Sequence, residues 1–420
     1  MKERVVAVFP GTSENGLEVL RSLQFEKNIQ LISLSSATDG ADRFFNGVIC
    51  RKVPLIKDYG FFERLKDIAN SFGVTHIFPV TSYAIEFLAQ RRNDISACLI
   101  APRTSLVDLF ADKRQTLLLA KGIGVHTPRI LSLKDLGGNG YRKPVNGFGA
   151  QGAYYIERLT ESDLNDENIL VTEFLPGEEC TVEVLSDSEG IVFLTGRSRS
   201  KIRMGTAVAG RVLDDAYLRE VGLLLWAATK IQGIWFFQMR RDAQGKWSLL
   251  EVDCRVAGSM GWSRSQGVNL PKLALWISDG LKVEARPVRI SNTYVRHLAF
   301  KAVFINEWRV IFVDWDDTMV VNGRLNKYLV GFLFMEKSRG VDIKLLSKHL
   351  GDLDSEVLRF GITGLFDEII HLEEGQKKEE FMCDGCLFID DSFSQRNAAM
   401  ARWNCTALGP DMSDLLFYGS

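Results

Sequence analysis

The feature that most limits the folds open to this chain is a regular alternation of short apolar runs and amphipathic segments in its first hundred residues. "RVVAVFP" is followed by "GTSENGLEVLRSL", "IQLISLS" by a loop and helix, and "THIFPV" by "TSYAIEFLAQRR", before "ACLIAP" closes the series. Strand–helix alternation of this kind predicts a parallel α/β sheet. Gly11 and Gly16 bracket the first strand-to-helix turn, a place that faces ligands in such sheets. The spacing is not G-x-G-x-x-G, so the turn points to a substrate carboxylate, or to no ligand, rather than to a nucleotide.

From "LVDLFADKRQTLLLAKGIGVHTPRIL" the texture changes. A helix ends at Gly122 to Gly124, Pro128 starts an extended strand, and strand pairs with glycine-rich turns continue to about residue 290. "VRHLAFKAVFI" reads as one more strand, and from Arg309 strands and helices alternate again to the end. The most apolar stretch, "VGLLLWAATKIQGIWFFQM", is interrupted by Lys230, Gln232 and Gly233. It reads as a buried helix and a strand, not a membrane span. The first apolar run is too short for a signal peptide. Lys plus Arg number 51 against 53 Asp plus Glu, which argues against a broad nucleic-acid or membrane surface. Seven scattered cysteines predict free thiols and a cytoplasmic protein. Cys383 and Cys386 form a C-x-x-C, but with only Cys405 and His371 nearby they read as two buried thiols flanking a turn rather than a zinc site.

Two groups of residues carry chemistry in the middle of the chain. "YRKPVNGFGAQGAYYI" places Lys143 on a strand before a loop with Gly147, Gly149 and Gly152. Glycines let backbone N–H groups approach phosphate oxygens, and a lysine adds the point charge. The same pattern also fits a plain β-hairpin turn. "FFQMRRDAQGKWSLLEVDCRVAG" reads as a hairpin whose second strand carries Glu251 and Asp253 on one face, opposite Gln238. Adjacent carboxylates repel unless a cation or proton separates them, and Mg²⁺ is the usual partner of nucleotide phosphates.

In their order and spacing, residues 1 to about 295 resemble an ATP-grasp enzyme of the carbamoyl-phosphate-synthase-like branch. The resemblance rests on the "DK" helix at Asp112 and Lys113, the "KP" strand at Lys143, the glycine loop, the "EFLPGEE" hinge and the metal strand "LLEVDCR". It implies that Lys113 and Lys143 hold ATP phosphates, that the backbone of Glu173, Phe174 and Leu175 binds adenine, and that Glu179 binds ribose. Gln238, Glu251 and Asp253 would bind Mg²⁺, with Mn²⁺ as a substitute, and Arg255 would stabilise the phosphoryl intermediate. Asp253 stands where the family usually has Asn, and Cys254 where it usually has Pro. Such enzymes phosphorylate a small-molecule carboxylate and pass the acyl group to an amine. Ser263, Arg264 and Ser265 in "GWSRSQGVNLP" are either substrate contacts or the capped start of a helix.

The end of the chain carries a second set. "RVIFVDWDDT", "VDIKLLSKHLG" and "GCLFIDDSFSQRN" are apolar runs that end in Asp314, Ser347 and Asp390–Asp391, and "EEGQKKEEF" supplies Lys377 and Lys378. Three such strand ends meet at the carboxyl edge of one parallel sheet. With its D-x-D-x-T spacing, this block resembles a haloacid-dehalogenase-type phosphatase with a minimal cap. The resemblance implies Asp314 as nucleophile and Asp316 as general acid and base. Ser347 and one of Lys377 or Lys378 would hold phosphate. Asp391 with Asp390 would hold Mg²⁺ against Asp314, with Asp316 beside them. Asp317 and the bulky Trp315 would shape the entrance.

The expectation is an α/β and α+β multidomain chain: a Rossmann-like domain over residues 1–105, an ATP-grasp domain over 106–300 and a phosphatase domain over 307–420. Its activity would be a carboxylate–amine ligase joined to a phosphatase of some phosphorylated metabolite. An ATP-dependent phosphotransferase, or a nucleotide-binding scaffold or sensor with a silent site, would use the same residues.

Overall fold

The computed structural model describes residues 3–37, 40–45, 47–147, 151–203, 205–288, 293–296 and 307–419. The chain divides into two compact units, residues 1–297 and 298–420. In the first unit, β1 (Arg4–Phe9), β2 (Ile29–Ser35), β3 (Val48–Lys52), β4 (His76–Pro79) and β5 (Cys98–Leu99) form a parallel sheet in the order β3-β2-β1-β4-β5. The apolar runs of β1 and β4 are buried on both faces, as a parallel sheet between helices requires. β3 escaped the sequence reading because its run, VICRK, is polar at its end and lies at an exposed edge.

Strand order reverses between β1 and β4. After β1 the chain turns into the helix Glu14–Leu23, whose first turn is capped by Ser13 through the Gly16 N–H. The two glycines there are steric necessities. A Cβ at Gly11 would lie 1.9 Å from Ser33 Oγ, and one at Gly16 would lie 2.3 Å from the Pro10 carbonyl. After β4 the helix Ser82–Ala89 begins at the same edge of the sheet.

The rest of the unit is antiparallel. β6 (Gly140–Pro144), β7 (Tyr154–Ile156) and β8 (Ile169–Thr172) form a three-stranded sheet. β9 (Glu179–Ser186), β10 (Ile191–Ser198), β11 (Lys201–Arg203), β12 (Thr206–Leu213), β13 (Gly233–Arg241), β14 (Trp247–Asp253) and β15 (Thr293–Val295) form a seven-stranded one. The long apolar stretch is the helix Ala216–Thr229 followed by β13, with Lys230 in the left-handed conformation between them. One core of buried residues runs from Phe9, Ile77 and Leu88 to Val182, Trp235 and Leu249. Residues 297–305 of the expected strand "VRHLAFKAVFI" lie outside the described residues.

The second unit holds β16 (Val310–Val313), the two-residue ribbon β17 (Val320–Val321) and β18 (Arg324–Leu325), then β19 (Asp342–Ser347), β20 (Glu368–His371), β21 (Leu387–Ile389) and β22 (Thr406–Leu408). Its main sheet is parallel throughout, in the order β20-β19-β16-β21-β22. Between Thr318 and β19 stand only the ribbon and the helix Lys327–Ser338. Trp315 does not shape an entrance: it is 1% exposed and packs in the core against Phe360. Asp317, at φ +52°, occupies the backbone region that a glycine would take without strain. Of the C-x-x-C pair only Cys386 is buried, and Cys383 is exposed. No helix among the described residues is long and apolar enough to cross a membrane.

Candidate functional site

A cavity of about 500 Å³ in the first unit lies between the small antiparallel sheet, the larger one and the switch point of the parallel sheet. Lys143 enters it from β6 and donates to the Leu250 carbonyl at 3.0 Å. Burial lowers its pKa from the ordinary 10.5 to about 8, against the opposing attraction of Glu251. Lys113 stands at the first position of the helix Lys113–Gly122, which Asp112 caps through the N–H groups of Arg114 and Gln115. Its ammonium donates to the Gly147 carbonyl at 2.6 Å. Two cations therefore line the cavity together, one of them bound to the glycine loop.

That loop joins β6 to β7, so it is a hairpin connection as well as a candidate phosphate loop. Gly147 lines the cavity with φ +146°, and Gly152 (φ +70°) sits behind it against Pro144. Gly149 lies outside the described residues. The hinge residues Glu173, Phe174 and Leu175 line the opposite wall. The Glu173 N–H is already spent on the Arg129 carbonyl, and its carboxylate accepts the Arg129 N–H, both at 2.9 Å. A base would therefore read the groups of Phe174 and Leu175 rather than the Glu173 amide. Phe174 packs edge-on against Tyr155, which gives that end an aromatic wall. Glu179 faces the cavity but is held by Arg199 at 2.7 Å and by Arg240 at 3.7 Å.

Gln238 on β13 and Glu251 on β14 are direct cross-strand partners and line the same cavity. A carboxylate beside a neutral amide oxygen fits a hard divalent cation. Asp253 does not complete the set as expected. Its Oδ2 pairs with Arg255 at 2.8 Å and accepts from Ser82 Oγ at 2.9 Å, which turns it into a smaller adjoining space shared with Glu86. Burial, and then the Asp253 charge, raise the pKa of Glu86. Arg255 itself does line the main cavity.

The expected substrate contacts fail. Ser263 is fully buried and donates to Glu183, itself paired with the buried Arg197. Arg264 pairs with Glu18 at 2.9 Å, and Ser265 donates to the Trp262 carbonyl. The residues that do close this end of the cavity are Glu14, Asn15, Thr81 and Ser82. They follow β1 and β4, so the strand ends flanking the glycine turn were the signal for them.

In the second unit the strand ends converge. Lys378 Nζ lies 2.6 Å from both Asp314 Oδ1 and Asp390 Oδ2, and all three residues are buried. Burial raises the pKa of both carboxyls, while Lys378 lowers them, as does a hydrogen bond from Ser347 to Asp314. Lys377 is exposed and takes no part. Carboxylate oxygens of Asp314, Asp390 and Asp391 lie within 4.8 Å of one another. Three carboxylates and one ammonium leave net negative charge in a largely buried place, which fits a divalent cation. Asp316, expected beside the metal, is outside this group: its half-exposed carboxylate faces His349, with Nδ1 3.0 Å from each oxygen.

Residues 165–299 match a family model described as ATP-grasp in the biosynthetic pathway with Ter operon, and residues 110–213 match the ATP-grasp domain model. No curated protein sequence matches the chain. Among solved structures, it is similar to pyruvate carboxylase from Rhizobium etli, with a TM-score of 0.57 and 20% identity over 67% of this chain and 29% of that one. The chain thus spans under a third of that enzyme's length. The biotin carboxylase domain of 2-oxoglutarate carboxylase from Hydrogenobacter thermophilus, solved with magnesium ADP and bicarbonate, gives 0.57 and 17% over 70% and 73% of the two chains. L-amino acid ligase from Bacillus licheniformis gives 0.55 and 17% over 72% and 82%. Identities this low speak for the fold alone, and the matched segments, residues 110–213 and 165–299, are similar to ATP-grasp domains.

Proposed function

We propose that the first unit is an ADP-forming carboxylate–amine ligase. The observation that carries this reading is the convergence of Lys113, Lys143, Gln238, Glu251 and Arg255 on one cavity. Lys113 and Lys143 bind the ATP phosphates, the wall at Phe174 and Leu175 receives the base, and Glu179 accepts from the ribose. A substrate carboxylate oxygen attacks the γ-phosphorus, and the bond to the bridging oxygen breaks with its electron pair going to ADP. The amine nitrogen then attacks the acyl carbon, loses a proton to solvent, and phosphate leaves with the electrons of the C–O bond. Glu251 and Gln238 would hold Mg²⁺, which screens phosphate charge when bound. Arg255, at the switch-point end, offsets charge on the acyl phosphate. The fold shared with an L-amino acid ligase supports this chemistry. Incubation with Mg-ATP and panels of acids and amines tests it: ADP and phosphate released only when both partners are present support ligation. ADP release with the acid alone, and a stable phosphorylated product, would make the unit a phosphotransferase. Nucleotide binding without turnover would make it a sensor.

A second activity, phosphomonoester hydrolysis by the second unit, is favoured by the Asp314, Ser347, Lys378, Asp390 and Asp391 cluster. Asp314 attacks phosphorus while the ester P–O bond breaks toward the leaving oxygen, which takes a proton from Asp316. Water then gives a proton to Asp316 and attacks the aspartyl-phosphate, releasing phosphate. Lys378 and Ser347 hold the phosphoryl oxygens. The three aspartates would hold Mg²⁺, which offsets charge at the phosphoryl group when bound. Hydrolysis of an aryl phosphate, absent in Asp314→Asn, is the test.

A further inference from the structure

We infer that His349 is a positioning residue for Asp316, the acid and base of the second unit; the inference rests on the phosphatase reading. Parallel pairing of β16 with β19 sets the two strand ends side by side, so that Ser347 reaches Asp314. Two residues further along each chain, His349 reaches Asp316 in the same way. Each of the two aspartates is thus held by a partner from the end of β19 or the loop just after it.

The contact is built from both sides. His371, the last residue of β20, donates from Nε2 to the His349 backbone carbonyl at 2.6 Å and anchors the loop. Gly351 leaves room for the imidazole, since a Cβ there would stand 2.9 Å from His349 Nε2. The His349 side chain is 18% exposed, whereas that of Asp316 is 56% exposed. An acid so exposed samples several rotamers unless something holds it, and proton transfer requires hydrogen-bond reach of the leaving oxygen. Donation from Nδ1–H to one carboxyl oxygen leaves the other to carry the proton. The imidazole acts through its contact with Asp316.

The role predicts a dependence on leaving group. His349→Ala should lower kcat for phenyl phosphate by about 10- to 100-fold, part of the acid's contribution. It should leave 2,4-dinitrophenyl phosphate, whose leaving group needs no proton, within about 3-fold. His349→Asn, whose amide N–H can stand near the Nδ1 position, should recover most of the loss. Added to Asp316→Asn, His349→Ala should cost little more on phenyl phosphate, because both act at one step. Equal losses on the two esters, no recovery with Asn, or additive losses in the double variant would overturn the inference while leaving the phosphatase intact. A wild-type chain that hydrolyses neither ester, or an Asp314→Asn variant as active as wild type, would overturn both.

Discussion

Lys143 is charged, fully buried and tied to a single carbonyl, so the folded protein should be more stable without its ammonium than with it. The fall of its pKa from 10.5 to about 8 corresponds to about 3 kcal/mol by which folding penalises the charged form. Lys143→Met removes that penalty at neutral pH but leaves the Leu250 carbonyl without its donor, at a cost of about 1 kcal/mol. The variant should therefore be more stable than wild type by about 2 kcal/mol at pH 7. The sign with pH follows from linkage. The folded state releases this proton at lower pH than the unfolded chain, so wild-type stability rises relative to the variant as pH climbs from about 8 to 10.5. The gap should close across that window and reverse by about 1 kcal/mol at its top, because the neutral amine still donates to the Leu250 carbonyl. Urea unfolding of both proteins at pH 7 and 10, followed by tryptophan fluorescence, measures it. Affinity for MgADP should move the other way and fall about 10- to 100-fold at pH 7 with the loss of a charge-assisted contact. A variant less stable than wild type at pH 7, or a gap independent of pH, would refute the reasoning.

Glu251→Gln should reduce ATP turnover by about 10²-fold or more, with hydrolysis of aryl phosphates unchanged, as coupled ADP and phosphate-release assays on the whole chain would show. Asp314→Asn should lower aryl phosphate hydrolysis by about 10³-fold or more, because it removes the nucleophile and one of three clustered carboxylates. Asp317→Gly should leave hydrolysis within about 2-fold and raise unfolding stability by up to about 1 kcal/mol, since glycine adopts φ +52° without a Cβ penalty.

What could be read from the sequence was whatever depends on periodicity along one strand or on the end of an apolar run. The parallel sheet edge of the second unit is of that kind: once β16, β19 and β21 are strands, Asp314, Ser347 and Asp390 must meet. Lys143 and Glu251 are legible for the same reason, since each sits at a fixed phase of a strand. Choices between chemically equal neighbours were not legible. Lys377 and Lys378 differ only in which one a short helical turn aims inward, and that turn is held by Trp403, which donates to the Glu379 carbonyl from 24 residues away. The Ser263 error has a similar origin. A serine that caps a helix and one that serves a buried carboxylate have the same local sequence, and Glu183 lies 80 residues earlier.

Asp253, where the ATP-grasp resemblance expects Asn, ties the parallel sheet to β14. Asparagine there would be neutral, whereas aspartate adds a charge two residues from Glu251, which by itself would disfavour the apo site. In this chain the charge is taken up by Arg255 and by Ser82, and Ser82 comes from the carboxyl end of β4, at the switch point. The ion pair draws Asp253 toward that crevice and leaves Glu251 and Gln238 facing the cavity. It also fixes Arg255 in the wall of the cavity, where, in the ligase we propose, a carboxylate becoming an acyl phosphate would gather charge. A cation held there before ligand arrives needs little reorganisation when that charge develops. Lys378 stands in the same relation to Asp314 and Asp390 in the second unit, two buried contacts of 2.6 Å on one ammonium. In each site an ion pair holds the charge that would otherwise strain the empty protein, and under the activities proposed above the same pair would set the geometry for phosphoryl chemistry.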